Sequence, residues 1–466
     1  MLTRSNPVLS DGTRISDLIN LDTREVKMRV LSDAELYQLE MEKIFAKTWV
    51  FLAHETEIPN SGDFVQRDMG SDSVLVTRDR EGQVHVVLNV CTHRGMKVST
   101  LDVGNTQAHM CIYHGWAFKP NGDFIGAPVD KECMHGKMMS KEQLSLTKAR
   151  VAVYGGMIFA TWNLDGPSFD EFLGDAKFYY DTMWCRTTSG MEVLGPPQRF
   201  IIKANWKTAA EQGACDGYHT LTLHRWLGEI GPYAKKPNAE GGGADLTPEM
   251  YGVEVWTDHG HTMRCIDLGR KVHRITGRDP AELSAQEKLT VLPPPGLTAE
   301  MIPDVVSRLS PEQIEIMSSN PPQVGNFFPN GLFEFIYLPT ADGKVTGAMA
   351  LHTYVPMGPD KFMFMNWILA EKDTPPEQKA AMLRISCQFL GTSGMVEQDD
   401  SDTWPHQTIV SKGAMSKNIT LKYQAKYETG KPDGWPGPGH VGSGFTKDDT
   451  NWSFWQYWHE LMTRES

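Results

Sequence analysis

Between Ser32 and Phe51, apolar side chains recur at about the spacing of an amphipathic helix. Either Ser32 or Asp33 suits the position before its first turn, because both side chains can accept hydrogen bonds from exposed backbone N–H groups. The pattern therefore predicts one helix in this segment. Its apolar face comprises Leu36, Leu39, Met41, Ile44 and Phe45.

From about residue 51 to residue 162 the pattern changes to short segments of alternating apolar and polar residues. Residues 74–78, 84–88 and 156–162 are rich in Val, Ile, Phe and Thr, and Gly, Asp and Asn separate such segments. This texture is typical of short strands joined by turns. We therefore predict a β-rich block here.

The second half of the chain mixes both patterns. A helix is predicted after Asn205, and residues 333–338, 345–355 and 361–370 are predicted to be consecutive antiparallel strands. Thr374 as cap and Pro375 in the first turn predict a helix that runs to Leu390. The stretches 235–250 and 292–322 are polar or Pro-rich, and both are predicted to be irregular and too long for ordinary connections. They are interpreted either as surface insertions or as flexible flaps over a substrate entrance.

Composition narrows the class of protein. The chain has 466 residues, which favours two domains over one core. Its net charge of −13 argues against nucleic acid or an anionic membrane as partner. The seven cysteines show no disulfide framework, and residues 1–18 contain no apolar signal segment. We therefore expect a cytoplasmic protein with reduced cysteines.

Two short motifs inside the β-rich block carry metal-binding chemistry. Cys91-Thr-His93 and Cys111-Ile-Tyr-His114 each supply one sulfur and one nitrogen, and Gly95 and Gly115 follow them. A Rieske [2Fe–2S] cluster needs this mixture, because cysteines hold one iron and histidines hold the other. Glycine permits the positive φ of a loop that wraps around such a cluster. The alternative is a structural zinc ion, although zinc fingers pair like ligands with like.

A second candidate metal site follows Asn205. A cluster that accepts electrons must deliver them, and an iron held by two histidines and one carboxylate is a common acceptor. His219 and His224 would lie about 140° apart on a regular helix, so they could not reach one iron. We therefore predict a break between Thr220 and His224. Asp216 is placed to hydrogen-bond a ligand imidazole rather than to bind metal.

The third ligand must come from elsewhere in the sequence. Four acidic residues lie within residues 397–402, and spacing alone does not decide between an inward-facing ligand and a solvated turn. These four residues are Glu397, Asp399, Asp400 and Asp402.

These motifs, in their order and spacing, resemble the α (large, oxygenase) subunit of Rieske non-haem iron aromatic-ring-hydroxylating dioxygenases of the naphthalene/biphenyl group. The resemblance spans most of the chain. It implies that Asp400 is the third iron ligand and that Gln212 stands where the family usually has Asn beside the iron. It further implies that Asp216 links His219 to His114 of a neighbouring subunit. The substrate pocket would be lined by Gly213, Ala214, Thr220, Leu390 and Val396. These positions are often bulky in the family, so the smaller side chains here imply a roomier or differently shaped cavity and a large or substituted substrate.

The resemblance also implies the architecture. The expected fold class is α+β, with an all-β Rieske domain inserted in a catalytic domain whose antiparallel sheet is flanked by helices in a helix-grip-like arrangement. The predicted domains are an N-terminal helical segment (1–50) that packs on the catalytic domain, the Rieske domain (51–165) and the mononuclear iron domain (166–466).

The implied activity is cis-dihydroxylation of an aromatic ring with O₂. Electrons would come from a reductase or ferredoxin chain and pass from the [2Fe–2S] cluster to a mononuclear Fe(II) in the adjacent subunit. A β subunit is expected in an α₃β₃ hexamer. Two alternatives are a Rieske monooxygenase or demethylase with the same metals, and an electron carrier or zinc-stabilised binding module.

Overall fold

Twenty-two strands are found among the residues that the structure, a computed structural model, describes. These residues are 7–128, 139–226, 252–337, 347–391, 394–426 and 430–464. The strands are β1 (Ile19–Asn20), β2 (Glu25–Lys27), β3 (Val50–His54), β4 (Asp63–Met69), β5 (Asp72–Arg78), β6 (Val84–Leu88), β7 (Val103–Asn105), β8 (His109–Met110), β9 (Ala117–Phe118), β10 (Phe124–Gly126), β11 (Arg150–Tyr154), β12 (Met157–Thr161), β13 (Met191–Val193), β14 (Gln198–Ile202), β15 (Gly252–Trp256), β16 (Thr262–Ile266), β17 (Pro322–Phe327), β18 (Gly331–Ile336), β19 (Ala348–Gly358), β20 (Lys361–Glu371), β21 (Thr420–Lys422) and β22 (His440–Ser443).

Twelve α-helices lie in the same described ranges, several of them only one or two turns long. They are α1 (Ala34–Glu40), α2 (Lys141–Leu144), α3 (Phe169–Leu173), α4 (Ala176–Trp184), α5 (Trp206–Gly213), α6 (Gly269–Thr276), α7 (Ala285–Val291), α8 (Ile302–Arg308), α9 (Pro311–Ser319), α10 (Pro376–Leu390), α11 (Glu397–Ser411) and α12 (Asp449–Thr463). None of the described helices is long and apolar enough to cross a bilayer.

The chain divides into two units, and the smaller one, Met41–Phe169, is built from antiparallel sheets. Strands β6-β5-β4-β7 form one sheet, β11-β12-β3 a second and β10-β9-β8 a third. Its buried core includes Cys91 and Cys111 beside Trp116, Phe118 and Phe124. Two sulfur atoms are thus held inside a rigid β scaffold.

The larger unit, Met1–Glu40 with Asp170–Ser466, contains a nine-stranded antiparallel sheet. Along it the strands follow the order β13-β20-β19-β18-β17-β16-β15-β22, with β14 also paired to β20. One face is covered partly by α10, through an apolar cluster that includes Ala350, Phe389 and Leu390. The expected α+β class, an all-β unit inserted in a unit of antiparallel sheet and helices, is confirmed.

Two helix predictions need correction. The N-terminal helix is capped by Asp33, whose Oδ1 accepts from Leu36 N at 3.1 Å, but its α-helical part ends at Glu40 and a π turn follows. The helix predicted from Thr374 begins at Pro376, since the Thr374 hydroxyl donates to the Gly296 carbonyl instead of capping.

The stretch 292–322 was predicted to be irregular, and this was wrong. It contains α8 and α9, and Ser310 and Gln313 cap α9 reciprocally with Pro311 at its first position. Their apolar residues, together with Leu289, form a separate small core. The helices obtain their stability from that local core, which the proline content obscured. The other stretch, 235–250, lies outside the described residues.

A buried ion pair joins α1 to α5 within the larger unit. Glu40 accepts hydrogen bonds from the indoles of Trp206, at 2.9 Å, and Trp458, at 3.0 Å. Its Oε1 lies 2.6 Å from the Lys207 ammonium, and both side chains are fully buried. Burial lowers the pKa of Lys207, while Glu40 opposes that shift. The carboxylate therefore satisfies one cation and two indoles that water cannot reach.

Replacing Glu40 by Ala should lower the free energy of unfolding by roughly 3–5 kcal/mol, because the Lys207 charge is left buried without its partner. Chemical denaturation followed by tryptophan fluorescence measures this. The exposed neighbour Glu42, changed to Ala, is the control. The double variant Glu40→Leu/Lys207→Met should recover much of the loss. An unchanged unfolding midpoint in Glu40→Ala would contradict the stabilising role.

Candidate metal centres

The two Cys/His motifs lie on two loops of the smaller unit with matching backbone geometry. In the first, Gly95 N donates to Cys91 O at 2.9 Å; in the second, Gly115 N donates to Cys111 O at the same distance. Both glycines have positive φ, +72° and +71°. A Cβ at Gly115 would lie 2.7 Å from Pro128 Cγ, so glycine is required there for space as well as conformation.

The side chains of the two loops meet in like pairs. The imidazoles of His93 and His114 have ring centroids 4.5 Å apart, and His93 stacks on Trp116 at 4.7 Å. Cys91 and Cys111 are both buried, and burial, with the neighbouring Cys111, raises the pKa of the Cys91 thiol. Two adjacent buried sulfurs beside two adjacent imidazoles fit the donor set of a Rieske [2Fe–2S] cluster, whose irons would hold the sulfurs as thiolates.

The second site begins where α5 ends. Asn205 caps this helix by accepting from Lys207 N at 3.1 Å, and the helix stops at Gly213. Cys215 then takes a left-handed conformation, φ +72°, which turns the chain. A 3₁₀ turn covers only His219–Leu221. As predicted, no regular helix carries both His219 and His224, but the α-helix already ends at Gly213, before the predicted break between Thr220 and His224.

The structure brings together the three side chains predicted to bind the mononuclear metal. Asp400 Oδ1 lies 3.8 Å from His219 Nε2 and 3.5 Å from His224 Nε2. Each of the three residues can place a ligand atom within 4.8 Å of the others. Ligands at about 2.0–2.2 Å from one metal ion lie at most about 4.4 Å apart, and the separations of 3.5 and 3.8 Å from Asp400 meet this limit, so the residues fit a mononuclear iron.

Each imidazole has a carboxylate at its other nitrogen. Asp216 Oδ2 lies 3.3 Å from His219 Nδ1, and Asp399 Oδ2 lies 3.2 Å from His224 Nδ1. Burial opposes protonation of His224, but the carboxylates of Asp400 and Asp399 raise its pKa. These contacts orient both rings so that Nε2 faces the candidate iron position.

Two tryptophan indoles hydrogen-bond to side chains of this site, and neither tryptophan was identified as a site residue from the sequence. Trp226 Nε1 donates to Asp399 Oδ2 at 2.6 Å, while Trp404 Nε1 donates to Gln212 Oε1 at 2.8 Å. The amide of Gln212 is thereby oriented, and its Nε2 donates to Asp400 Oδ1 at 2.7 Å. Gln212, one methylene longer than the Asn usual at this position in the family, therefore turns toward the predicted iron ligands.

The predicted pocket residues occupy three places in the larger unit. Gly213 and Ala214 end α5, and a Cβ at Gly213 would lie 3.4 Å from Leu332 and 3.6 Å from Tyr354. Leu390 and Val396 share one apolar cluster against the sheet. The half-buried Thr220 is in the 3₁₀ turn and donates to Gly217 O. Lining of a pocket by these five residues stays a prediction.

Comparison with known proteins identifies the class. Residues 48–150 match the Rieske [2Fe-2S] domain family, and residues 169–431 match the ring hydroxylating alpha subunit (catalytic domain) family. The chain therefore belongs to the family of ring-hydroxylating α subunits. As predicted, it is an oxidoreductase of the aromatic-ring dioxygenase class, with a Rieske [2Fe–2S] domain and a catalytic domain that uses mononuclear iron.

Individual relatives are similar over nearly the whole chain. The chlorobenzene dioxygenase α subunit of Cupriavidus sp. (strain PS12) is 30% identical, covering 93% of this chain and 90% of its own. The N,N-dimethyl phenylurea N-demethylase α subunit of Sphingobium sp. (strain YBL2) is 33% identical, covering 85% and 83%. The crystal structure of naphthalene 1,2-dioxygenase from Rhodococcus sp. bound to indole superimposes with a TM-score of 0.82, at 34% identity and 95% coverage of both chains.

Adjacent carboxylates allow a test of the ligand assignment. Asp400→Ala should remove the mononuclear iron and spare the cluster, because Asp400 alone of the two faces both Nε2 atoms. Asp399→Ala should retain more iron, since Asp399 contacts His224 at Nδ1 and Trp226, and neither contact involves a ligand Nε2 atom. Iron and acid-labile sulfide per chain, with electron paramagnetic resonance after dithionite, measure both. The reverse pattern would assign the ligand to Asp399.

Proposed function

We propose that this α subunit cis-dihydroxylates an aromatic ring, using O₂ and electrons from a reductase or ferredoxin chain. The observation that carries this proposal is the convergence of His219, His224 and Asp400 in a chain that also has a Rieske domain. A protein that only carried electrons or bound zinc would not need a second metal site whose three protein ligands leave coordination positions open.

The residues divide the work. Cys91, His93, Cys111 and His114 hold the cluster, while His219, His224 and Asp400 hold the iron. When bound, the iron supplies the activation of O₂ and the [2Fe–2S] group supplies electrons. Asp216 and Asp399 keep the ligand imidazoles oriented, and Gln212 donates to the ligand carboxylate. The aromatic ring would lie against the wall of Gly213, Leu390 and Val396.

Electrons are proposed to pass between subunits of a head-to-tail trimer. Asp216 contacts His219 and keeps 30% of its side chain exposed, so a neighbouring subunit can reach it. His114 is only half-buried, and the adjacent Ile112 and Tyr113 are 76% and 57% exposed. Exposed apolar side chains beside a polar donor are typical of an interface. His114 of one subunit would donate its ring N–H to Asp216 of the next.

The partners follow from the same scheme. We propose a β subunit in an α₃β₃ hexamer, and a ferredoxin, a reductase or both as electron donors. A cytoplasmic location is proposed because none of the six described cysteines, buried Cys215 and Cys265 included, forms a disulfide.

A second activity has specific support. The phenylurea N-demethylase α subunit is 33% identical to this chain, slightly more than the chlorobenzene dioxygenase at 30%. A monooxygenase that hydroxylates or demethylates a substituent would use the same metal ligands. The destination of the oxygen atoms separates the two activities.

Turnover of aromatic substrates under ¹⁸O₂, with a generic reductase chain, should give one product that contains both labelled atoms. Mass spectrometry of the product, alongside O₂ consumption, makes the measurement. Release of a product with a single labelled atom, or of an aldehyde from an N-methyl group, would reject dihydroxylation in favour of the monooxygenase activity.

Replacing Asp216 by Ala should leave both metal centres assembled and reduce turnover at least ~100-fold, because the link between His219 and the neighbouring cluster is lost. Iron and sulfide content show the assembly, and single-turnover reduction of the iron centre shows the electron transfer. Asp402→Asn, an exposed change on α11, is the control. Retention of most activity by Asp216→Ala would exclude the proposed bridge.

A further inference from the structure

A second buried cluster of ligand-type side chains lies in the larger unit, apart from the iron ligands. Glu334, His352 and Glu397 each place a polar atom within 4.8 Å of the others. His352 Nε2 is 3.9 Å from Glu334 Oε2, and His352 Nδ1 is 3.7 Å from Glu397 Oε1. His352 is fully buried, and Glu397 is only 3% exposed.

These polar atoms lack hydrogen-bond partners. Both ring nitrogens of His352, Glu334 Oε2 and Glu397 Oε2 are buried and make no hydrogen bond. Leaving a buried polar atom unpaired costs about 1–3 kcal/mol. Four such atoms on three neighbouring side chains would be a large cost for a purely structural cluster, so the arrangement points to a bound polar group.

The cluster lies on the sheet face that also bears the predicted substrate wall. In the register of β18 and β19, Leu332 pairs with His352 and Glu334 pairs with Ala350. Side chains two residues apart on a strand share a face. Glu334 and His352 therefore share the face of Leu332 and Tyr354, the two side chains nearest to Gly213.

Glu397 connects the cluster to the iron ligands. It is the first residue of α11, three positions before Asp400, and so lies on the same side of that helix. Burial, followed by the nearby Asp400 carboxylate, raises the pKa of Glu334 to about 7. Burial lowers the pKa of His352 to about 3, so its imidazole is neutral at pH 7. Burial also raises the pKa of Glu397 well above its ordinary value. The cluster therefore contains no cation, and each member keeps a hydrogen-bond acceptor, because even a protonated carboxyl group retains its carbonyl oxygen.

A metal ion is a poorer occupant than a hydrogen-bonding group. The two short separations involve opposite nitrogens of the His352 ring, so one ion cannot use both. Both separations also exceed the length of a direct hydrogen bond, about 3.2 Å. The three side chains therefore do not hydrogen-bond to one another at these contacts, and each can hydrogen-bond to an added group.

We propose that Glu334, His352 and Glu397 bind an N–H-bearing substituent of the aromatic substrate, which makes the substrate an aromatic amine or amide. The carboxyl oxygens accept the substituent's N–H bonds, and the His352 ring pairs with its remaining polar atom. This inference rests on the proposed oxygenase function and specifies its substrate class. A plain hydrocarbon would leave the cluster unpaired and would bind less well for that reason.

Anaerobic calorimetry on the iron-loaded holoenzyme tests this without turnover. Two ligand pairs are compared, aniline with toluene and acetanilide with N-methylacetanilide, in which the second member lacks the N–H. The N–H member should bind about tenfold more tightly in each pair, as expected for one hydrogen bond to a charged or strongly polar group. Equal affinity within both pairs in the wild-type protein would overturn the proposal.

Single-residue variants test whether Glu334 and Glu397 cause the preference for ligands with an N–H group. Glu334→Gln and Glu397→Gln keep the side-chain shape and should reduce the preference at least ~3-fold, while the affinity for toluene stays within about twofold. Asp402→Asn, exposed on α11, should keep the full preference. An unchanged preference in both Gln variants would overturn the proposal. So would a further metal ion per chain in the wild type that these variants lose.

Failure of this inference is distinguishable from failure of the proposed function. Equal binding within the pairs, with both ¹⁸O atoms in one product, would remove the amine or amide specificity and leave ring dihydroxylation standing. Selective N–H binding with a single labelled atom would retain the polar subsite and reject dihydroxylation.

Discussion

The site depends on one constraint: ligand atoms of His219, His224 and Asp400 must reach one metal position, although a regular chain conformation would not bring them together. His219 and His224 are five positions apart, and a regular helix would point them in different directions. The chain resolves this by ending α5 at Gly213 and turning through the left-handed Cys215. Asp400 then approaches from the first turn of α11. The other side chains of the site keep these three ligand side chains oriented toward that position.

The polar contacts around the predicted iron position form two sets, one that orients the two imidazoles and one that orients Asp400. Asp216 and Asp399 each contact the outer nitrogen of one imidazole, while Trp226 fixes Asp399. Gln212 and Trp404 act on the third ligand instead, through a hydrogen bond to Asp400. The ligands are thus positioned before a metal binds, which reduces the cost of organising the site.

Features encoded by nearby residues were predictable. Both Cys/His loops and the strand Lys361–Glu371 follow from local motifs and alternation, and the break before His224 follows from helix geometry. The helices within 292–322 were missed because their stability comes from a small core whose residues meet only in the folded chain. Trp226 and Trp404 carried no local signal, since their partners lie 173 and 192 positions away. Glu334 and His352 likewise meet only through strand pairing.

Iron-edge anomalous diffraction from crystals of the anaerobically purified protein tests the central claim most directly. We expect one strong peak between His219, His224 and Asp400, and a separate elongated peak among Cys91, His93, Cys111 and His114. Absence of iron at the first position, or its appearance at Glu334, His352 and Glu397 instead, would contradict the account.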